Sequence, residues 1–174
     1  MARILPVEYE NASKAVKEQF DDQIKKHGRI TNMKKTLLHS LPAFHALMEW
    51  YPLRDSVREF IGERGVNYFC YAISSQNDCL ICSTFFRRIL IEGGENPDSP
   101  VFSEEEQTLV DFGRRCVAEP TKVDDELYNR LKKFYNDEQI VLLTAFAGLM
   151  IATNLINNAL RVDLDEYLIS YSRR

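Results

Sequence analysis

The sequence predicts an all-α fold, a multi-helix bundle, on three observations. Apolar residues recur at helical spacing from one end of the chain to the other. Alternating strand patterns are nearly absent, and no internal repeat or low-complexity segment interrupts the helical signal. Cap residues and breakers divide the chain into about seven or eight such stretches.

In order, Asn11 or Ser13 caps a first helix carrying Val16, Phe20 and Ile24 at four-residue spacing. Asn32 starts a short second helix through Leu37 and Leu38. Pro42 interrupts, Ala43 to Tyr51 continues, and Pro52 breaks the chain again. Ser56 opens the next helix, which runs to Ile73. Its Gly62 and Gly65 permit close packing against a neighbour. A polar break from Ser74 to Asp78 precedes a helix that ends at Gly93 and Gly94. Ser103 and Glu106 form a capping box for a helix to about Cys116. Pro120 and Thr121 mark a turn, and Asp124 to Phe134 is another short helix. Asp137 caps a long helix through Leu160, and Asp163 to Tyr171 forms a final turn or helix.

The long helix is apolar nearly all round in its first half. Val141, Leu142, Leu143, Phe146, Leu149 and Met150 cannot share one narrow stripe. Such a helix is central, or covered from a second side by another subunit, so a homo-oligomer is expected.

At 174 residues the chain fits one all-α domain, residues 1–174, with a substantial core. A net charge of −4 gives no footprint for nucleic acid or an anionic membrane. Lys34-Lys35, Arg87-Arg88 and Arg114-Arg115 read as solvated faces or helix-end charges. The start, MARILPVEYENASK, turns acidic too early for a signal peptide. The longest apolar run, Ile140 to Ala152, falls short of the ~20 residues of a spanning helix. Cytoplasm is the expected compartment, where a C-x-x-C is catalytic or metal-binding.

That motif is Cys79-Leu80-Ile81-Cys82, at the start of a helix in SSQNDCLICSTFFRRIL. Residues one helical turn apart share a face, with Cβ atoms about 5–6 Å apart, within reach of a disulfide after small adjustments. Unpaired N–H groups in a first turn stabilise a thiolate over a thiol. One sulfur can then attack an oxidant and the other resolve the product. Helix physics favours Cys79 as the attacking thiol, since it lies closer to the helix start and to solvent. The plain alternative is two small buried side chains without chemistry. A zinc site needs four ligands, and Cys70, Cys116 or the histidines would have to supply the rest from distant segments. No metal or cofactor is expected. Cys70, among Tyr68, Phe69 and Tyr71, and Cys116, near a helix end, read as structural. A thioredoxin-like frame is disfavoured because no strand precedes the cysteines.

The fragment AISSQNDCLICSTFFRRIL resembles the CxxC helix of the alkylhydroperoxidase D-like and carboxymuconolactone decarboxylase family, in its peroxidase-related branch with the pattern S-x-x-N-x-C-x-x-C. Upstream TLLHSLPAFHALMEWY, the capped SEEEQTLVDFGRRC helix and NLINNALRVDLDEYL agree in order and spacing, so the likeness covers residues 32–168. It implies an oligomeric all-α fold, as a dimer, trimer or hexamer. It also implies thiol-dependent reduction of hydroperoxides with an external dithiol as reductant. Cys82 would attack and Cys79 would resolve. Lactone decarboxylation is not expected, since the family members that perform it do not rely on a CxxC pair. The family's Glu, twelve residues before the first cysteine, is Asn67 here, and its His, four after the second, is Phe86. Those two groups would shuttle a proton. Asn67 cannot take one up, and Phe86 offers only an apolar wall. Glu63, one turn before Asn67, and His45 or His39 are the candidate replacements. An alternative reading follows: a redox-sensing or binding oligomer of the same fold without efficient turnover. Phe85 and Tyr71 beside Phe86 suggest an apolar approach for organic peroxides. Trp50 and Tyr51 read as core aromatics. Asn154, Asn157 and Asn158 share one face of the long helix, positioned to bond across a subunit interface or to loop backbone.

Overall fold

The computed structural model describes residues 1–173 and contains eight α-helices within them. They are α1 Lys14–His27, α2 Asn32–Leu37, α3 Leu41–Met48, α4 Trp50–Gln76, α5 Leu80–Glu92, α6 Glu104–Ala118, α7 Asp125–Phe134 and α8 Asp137–Leu160. Short 3-10 turns occupy Tyr9–Asn11, Pro120–Lys122 and Glu166–Tyr171.

Side-chain caps set most of the boundaries. Ser13, Thr31, Ser40 and Asp124 each accept a hydrogen bond from a first-turn N–H of α1, α2, α3 and α7. Ser103 and Glu106 form the reciprocal box that starts α6. The cap of α8 is Asn136 rather than Asp137, again in a reciprocal box, with Gln139.

The largest departure from expectation is at α4. Pro52 does not break the chain there. It sits in the first turn, where its missing N–H has no helical partner to lose, so the helix begins at Trp50 rather than Ser56. The real break is at Gly62, whose φ of 69° and ψ of 172° kink the helix. Side-chain-bearing residues rarely adopt that φ, which explains the glycine.

Helix α4 is the axis of the bundle and packs against α5, α6 and α8. Phe69 and Ile73 of α4, Phe112 of α6, and Leu143, Phe146 and Met150 of α8 form the main core. At Gly113 a Cβ would sit 3.0 Å from the Phe69 ring, so glycine lets α6 approach α4 closely. A second cluster, Phe20, Leu37, Leu38 and Phe44, ties α1, α2 and α3 together and leans on Ile156 of α8.

Candidate active site

Asp78 takes a left-handed conformation (φ 49°) and turns the chain out of α4. Cys79 follows as the extended N-cap of α5, and its N–H donates to the Ser74 carbonyl at 2.9 Å. Cys82 comes one turn later, inside the helix. The two side chains hydrogen-bond each other as free thiols. Cys79 is 0% exposed and Cys82 5%, so Cys79 is not the thiol nearer solvent. The reason is α8, whose C-terminal end covers the start of α5.

Three asparagines make that cover. Asn157 donates from Nδ2 to Cys82 Sγ at 3.1 Å and lies 3.9 Å from Cys79 Sγ. Asn158 donates to the Asn77 carbonyl at 2.9 Å, and Asn154 accepts from Ser74 Oγ at 3.4 Å. All three bonds close within the chain. Shared-face spacing singled out the trio in the sequence, but nothing local shows that Asn157 reaches the sulfurs.

The electrostatics of the pair are asymmetric. A hydrogen bond from Cys82, together with the backbone N–H groups at the helix start and the Asn157 amide, holds the Cys79 thiol below its ordinary range against the opposing effect of burial. The hydrogen bond to Cys79, and burial after it, push Cys82 well above its ordinary range. The two thiols titrate as a pair, with the proton held less firmly on Cys79 than on Cys82. Burial also raises Cys70, and Cys116 goes up to about 11. Neither lies on the cavity wall.

A cavity of about 400 Å³ opens against Cys82. At this thiol end Ile81, Phe85, Phe86, Met150 and Asn157 form the wall. Trp50 follows, its ring 6.2 Å from Phe86 and 5.1 Å from Tyr51. Beyond it stand Tyr51, Lys34, Arg54 and His27. Trp50 and Tyr51 are thus cavity residues rather than core aromatics alone. Lys34, expected on a solvated face, is buried on the same wall. A basic pair in the sequence carries no sign of which member faces inward. Tyr71 is not on the wall; it packs beside Arg173.

Of the candidate supporting residues, Asn67 and Phe86 are buried on the cavity wall. Glu63 also reaches it, but its carboxylate is largely exposed and paired with Arg58 at 3.5 Å. His45 is exposed on α3, edge-on to Phe44, and does not line the cavity. His39 meets the Leu5 carbonyl at 2.9 Å, also away from it. The histidine that does reach the wall is His27, stacked on Tyr51 at 4.5 Å. Among the described residues, no group of three or more His, Cys, Asp or Glu side chains is arranged to hold a metal ion.

No sequence-family model and no curated protein matches the chain. Solved structures do. The debrominase Bmp8 superposes with a TM-score of 0.79 at 17% identity, over 97% of this chain and 95% of its own. An uncharacterized peroxidase-related protein from Ralstonia eutropha JMP134, described as an alkylhydroperoxidase AhpD core, gives 0.77 at 18% identity, covering 96% and 94%. An Agrobacterium tumefaciens protein described as a putative antioxidant defence protein AhpD gives 0.64 at 22% identity, over 73% and 93%. Eight helices with α4 at their centre, a cysteine pair at the head of α5 and these superpositions lead to one conclusion: the chain has the alkylhydroperoxidase D-like fold.

Proposed function

We propose that this protein is a thiol-dependent peroxidase that reduces organic hydroperoxides through Cys82 and Cys79. The observation that carries the reading is that Cys82 lines the cavity while Cys79 lies behind it, hydrogen-bonded to it and outside the cavity. A substrate reaches Cys82 first, and the resolving thiol is already in place.

The same arrangement supplies the proton handling that Asn67 and Phe86 cannot. The Cys82 S–H passes its proton to the Cys79 thiolate, and the Asn157 amide steadies the new Cys82 thiolate. Cys82 attacks the distal peroxide oxygen, forming S–O and breaking O–O. The departing alkoxide takes the proton from Cys79 and leaves as an alcohol. Cys79, a thiolate again, attacks the Cys82 sulfenic acid, forming S–S and expelling hydroxide. An external dithiol then reduces the 79–82 disulfide and is itself oxidised.

The debrominase likeness favours a second reading of the same thiols. A related structure holds a Cys-to-Ala variant of that enzyme with 2,3,4-tribromopyrrole. In this reading Cys82 abstracts bromine from a brominated ring, the ring gains a proton, and Cys79 displaces bromide as the disulfide forms.

The protein is also proposed to act as a homo-oligomer. Val141 and Leu155 are exposed apolar residues of α8, and the small Ala145, Gly148 and Ala152 lie between them in the sequence. A second copy of the chain packing on this face would bury it.

Peroxide consumption by wild type, Cys82→Ser and Cys79→Ser, with a dithiol reductant, tests the function. Wild type should turn over and Cys82→Ser should fall to background. Cys79→Ser should stop after one equivalent as a trappable sulfenic acid. Equal rates for Cys82→Ser and wild type would remove the enzymatic reading. Stoichiometric disulfide formation without turnover would favour the redox-sensing alternative, and bromide release from a bromoarene the second reading.

A further inference from the structure

The cavity wall carries a cation that the thiol chemistry does not use. Lys34 is 4% exposed, and its ammonium donates to Gln23 Oε1 at 2.5 Å and to the Tyr51 hydroxyl at 2.7 Å. Both partners are neutral. Among the described residues Lys34 forms no ion pair. Asp22, the acid that acts on it, is bound to Lys26 at 2.9 Å. Of the two acids on the wall, Glu63 is paired with Arg58, and Asp165 accepts from the Asn32 backbone N–H at 3.0 Å through Oδ1 while its Oδ2 is buried without a hydrogen-bond partner; neither forms an ion pair with Lys34.

Removing an ammonium from water without a counter-charge is costly. The surroundings add to that cost. Arg54, itself paired with Asp55 at 2.7 Å, lies over the Tyr51 ring at 5.8 Å, and Lys34, which has no such carboxylate, lies over the same ring at 4.8 Å. His27 stacks on that ring too and is held below its ordinary range, first by burial and then by Lys34. Three basic side chains thus converge on one aromatic ring. Trp50, between this end and Phe86, has a buried indole N–H with no hydrogen-bond partner. A positive, donor-rich end and an apolar, thiol-bearing end belong to one cavity of about 400 Å³.

We propose that the cavity selects organic anions. An acidic head, a carboxylate or phenolate, pairs with Lys34, and an aromatic body lies along Trp50 and Phe86 with its reactive group toward Cys82. The substrate side of this proposal rests on the thiol reading above. The anion site itself does not. A bound carboxylate gives Lys34 the counter-charge it lacks, and a neutral ester of the same shape does not.

Trp50 is the single tryptophan of the chain and reports on the cavity directly. Its fluorescence is followed while the wild-type protein, unreacted with peroxide, is titrated with 4-isopropylbenzoate and separately with its methyl ester. The anion should bind at least tenfold more tightly than the ester. Lys34→Met should reduce that preference to less than threefold, and Lys34→Arg, which keeps the charge, should retain most of it. Equal affinity for anion and ester, no binding of either, or an undiminished preference in Lys34→Met would overturn the proposal. The wild-type comparison stands even where a variant fails to fold. Disulfide formation with peroxide, measured on the same preparation, separates the two readings. Binding without oxidation leaves the anion site and removes the peroxidase; oxidation without anion preference does the reverse.

Discussion

At the residue scale, the site joins a cysteine pair set by local spacing to groups that only tertiary contact brings beside it. Cys79 and Cys82 were legible from spacing alone, because one helical turn fixes their proximity. Asn157 was legible as a polar residue on an apolar helix, but its place against the Cys82 sulfur comes from α8 crossing the start of α5. The burial of Lys34 and the absence of His45 from the cavity were not legible, since neither residue's neighbours in sequence set its direction. Asn157 also yields the sharpest residue-scale test. Replacing it with Leu removes the amide donor to the buried Cys82 sulfur, which carries charge in the proposed attack. A hydrogen bond to a charged group contributes about 1.5–3 kcal/mol. Stopped-flow oxidation of Asn157→Leu by an organic hydroperoxide should therefore be slower by about tenfold or more. A rate within twofold of wild type would mean that the amide only holds α8 in place.

At the element scale, caps were the most readable signals. Ser13, Ser103 and Asp124 start their helices as the sequence indicates, because each side chain satisfies an N–H locally. Proline misled at α4, since a proline in a first turn is compatible with the helix it seems to break. Glycine was the true signal there. Gly62 holds a positive φ with no atom near the position a Cβ would take, so its requirement is conformational rather than steric against a neighbour. Gly62→Ala should destabilise the protein by about 1–2 kcal/mol, read as a lower urea midpoint with unchanged slope. It should also disturb the cavity, because the kink lies between Trp50 and Asn67 on α4. An alanine variant as stable as wild type would mean that α4 straightens without strain.

At the scale of the whole molecule, the all-α class and a bundle of about eight helices followed from periodicity, while the central place of α4 and the packing order around it did not. Helix α8 shows both sides of that limit. Its apolar first half suggested a central position, and Leu143, Phe146 and Met150 do enter the core. By length and composition it is the one helix among the described residues that meets the size of a membrane span, and it is also a packing partner of α4. Its Val141 is 67% exposed, an unusual setting for a branched apolar side chain on a core helix. Val141→Asp should shift the protein toward monomer in sedimentation velocity without lowering its helical circular dichroism. Wild type sedimenting as a monomer at high concentration would refute the assembly.

Above all, Cys79 and Cys82 are proposed to form one redox couple reached through the cavity. The most direct measurement is peptide mapping under acid quench, before and after one equivalent of an organic hydroperoxide. A redox couple gives a new 79–82 disulfide, formed rapidly at neutral pH, with Cys70 and Cys116 unchanged. Persistence of both thiols, or oxidation confined to Cys116, would contradict it.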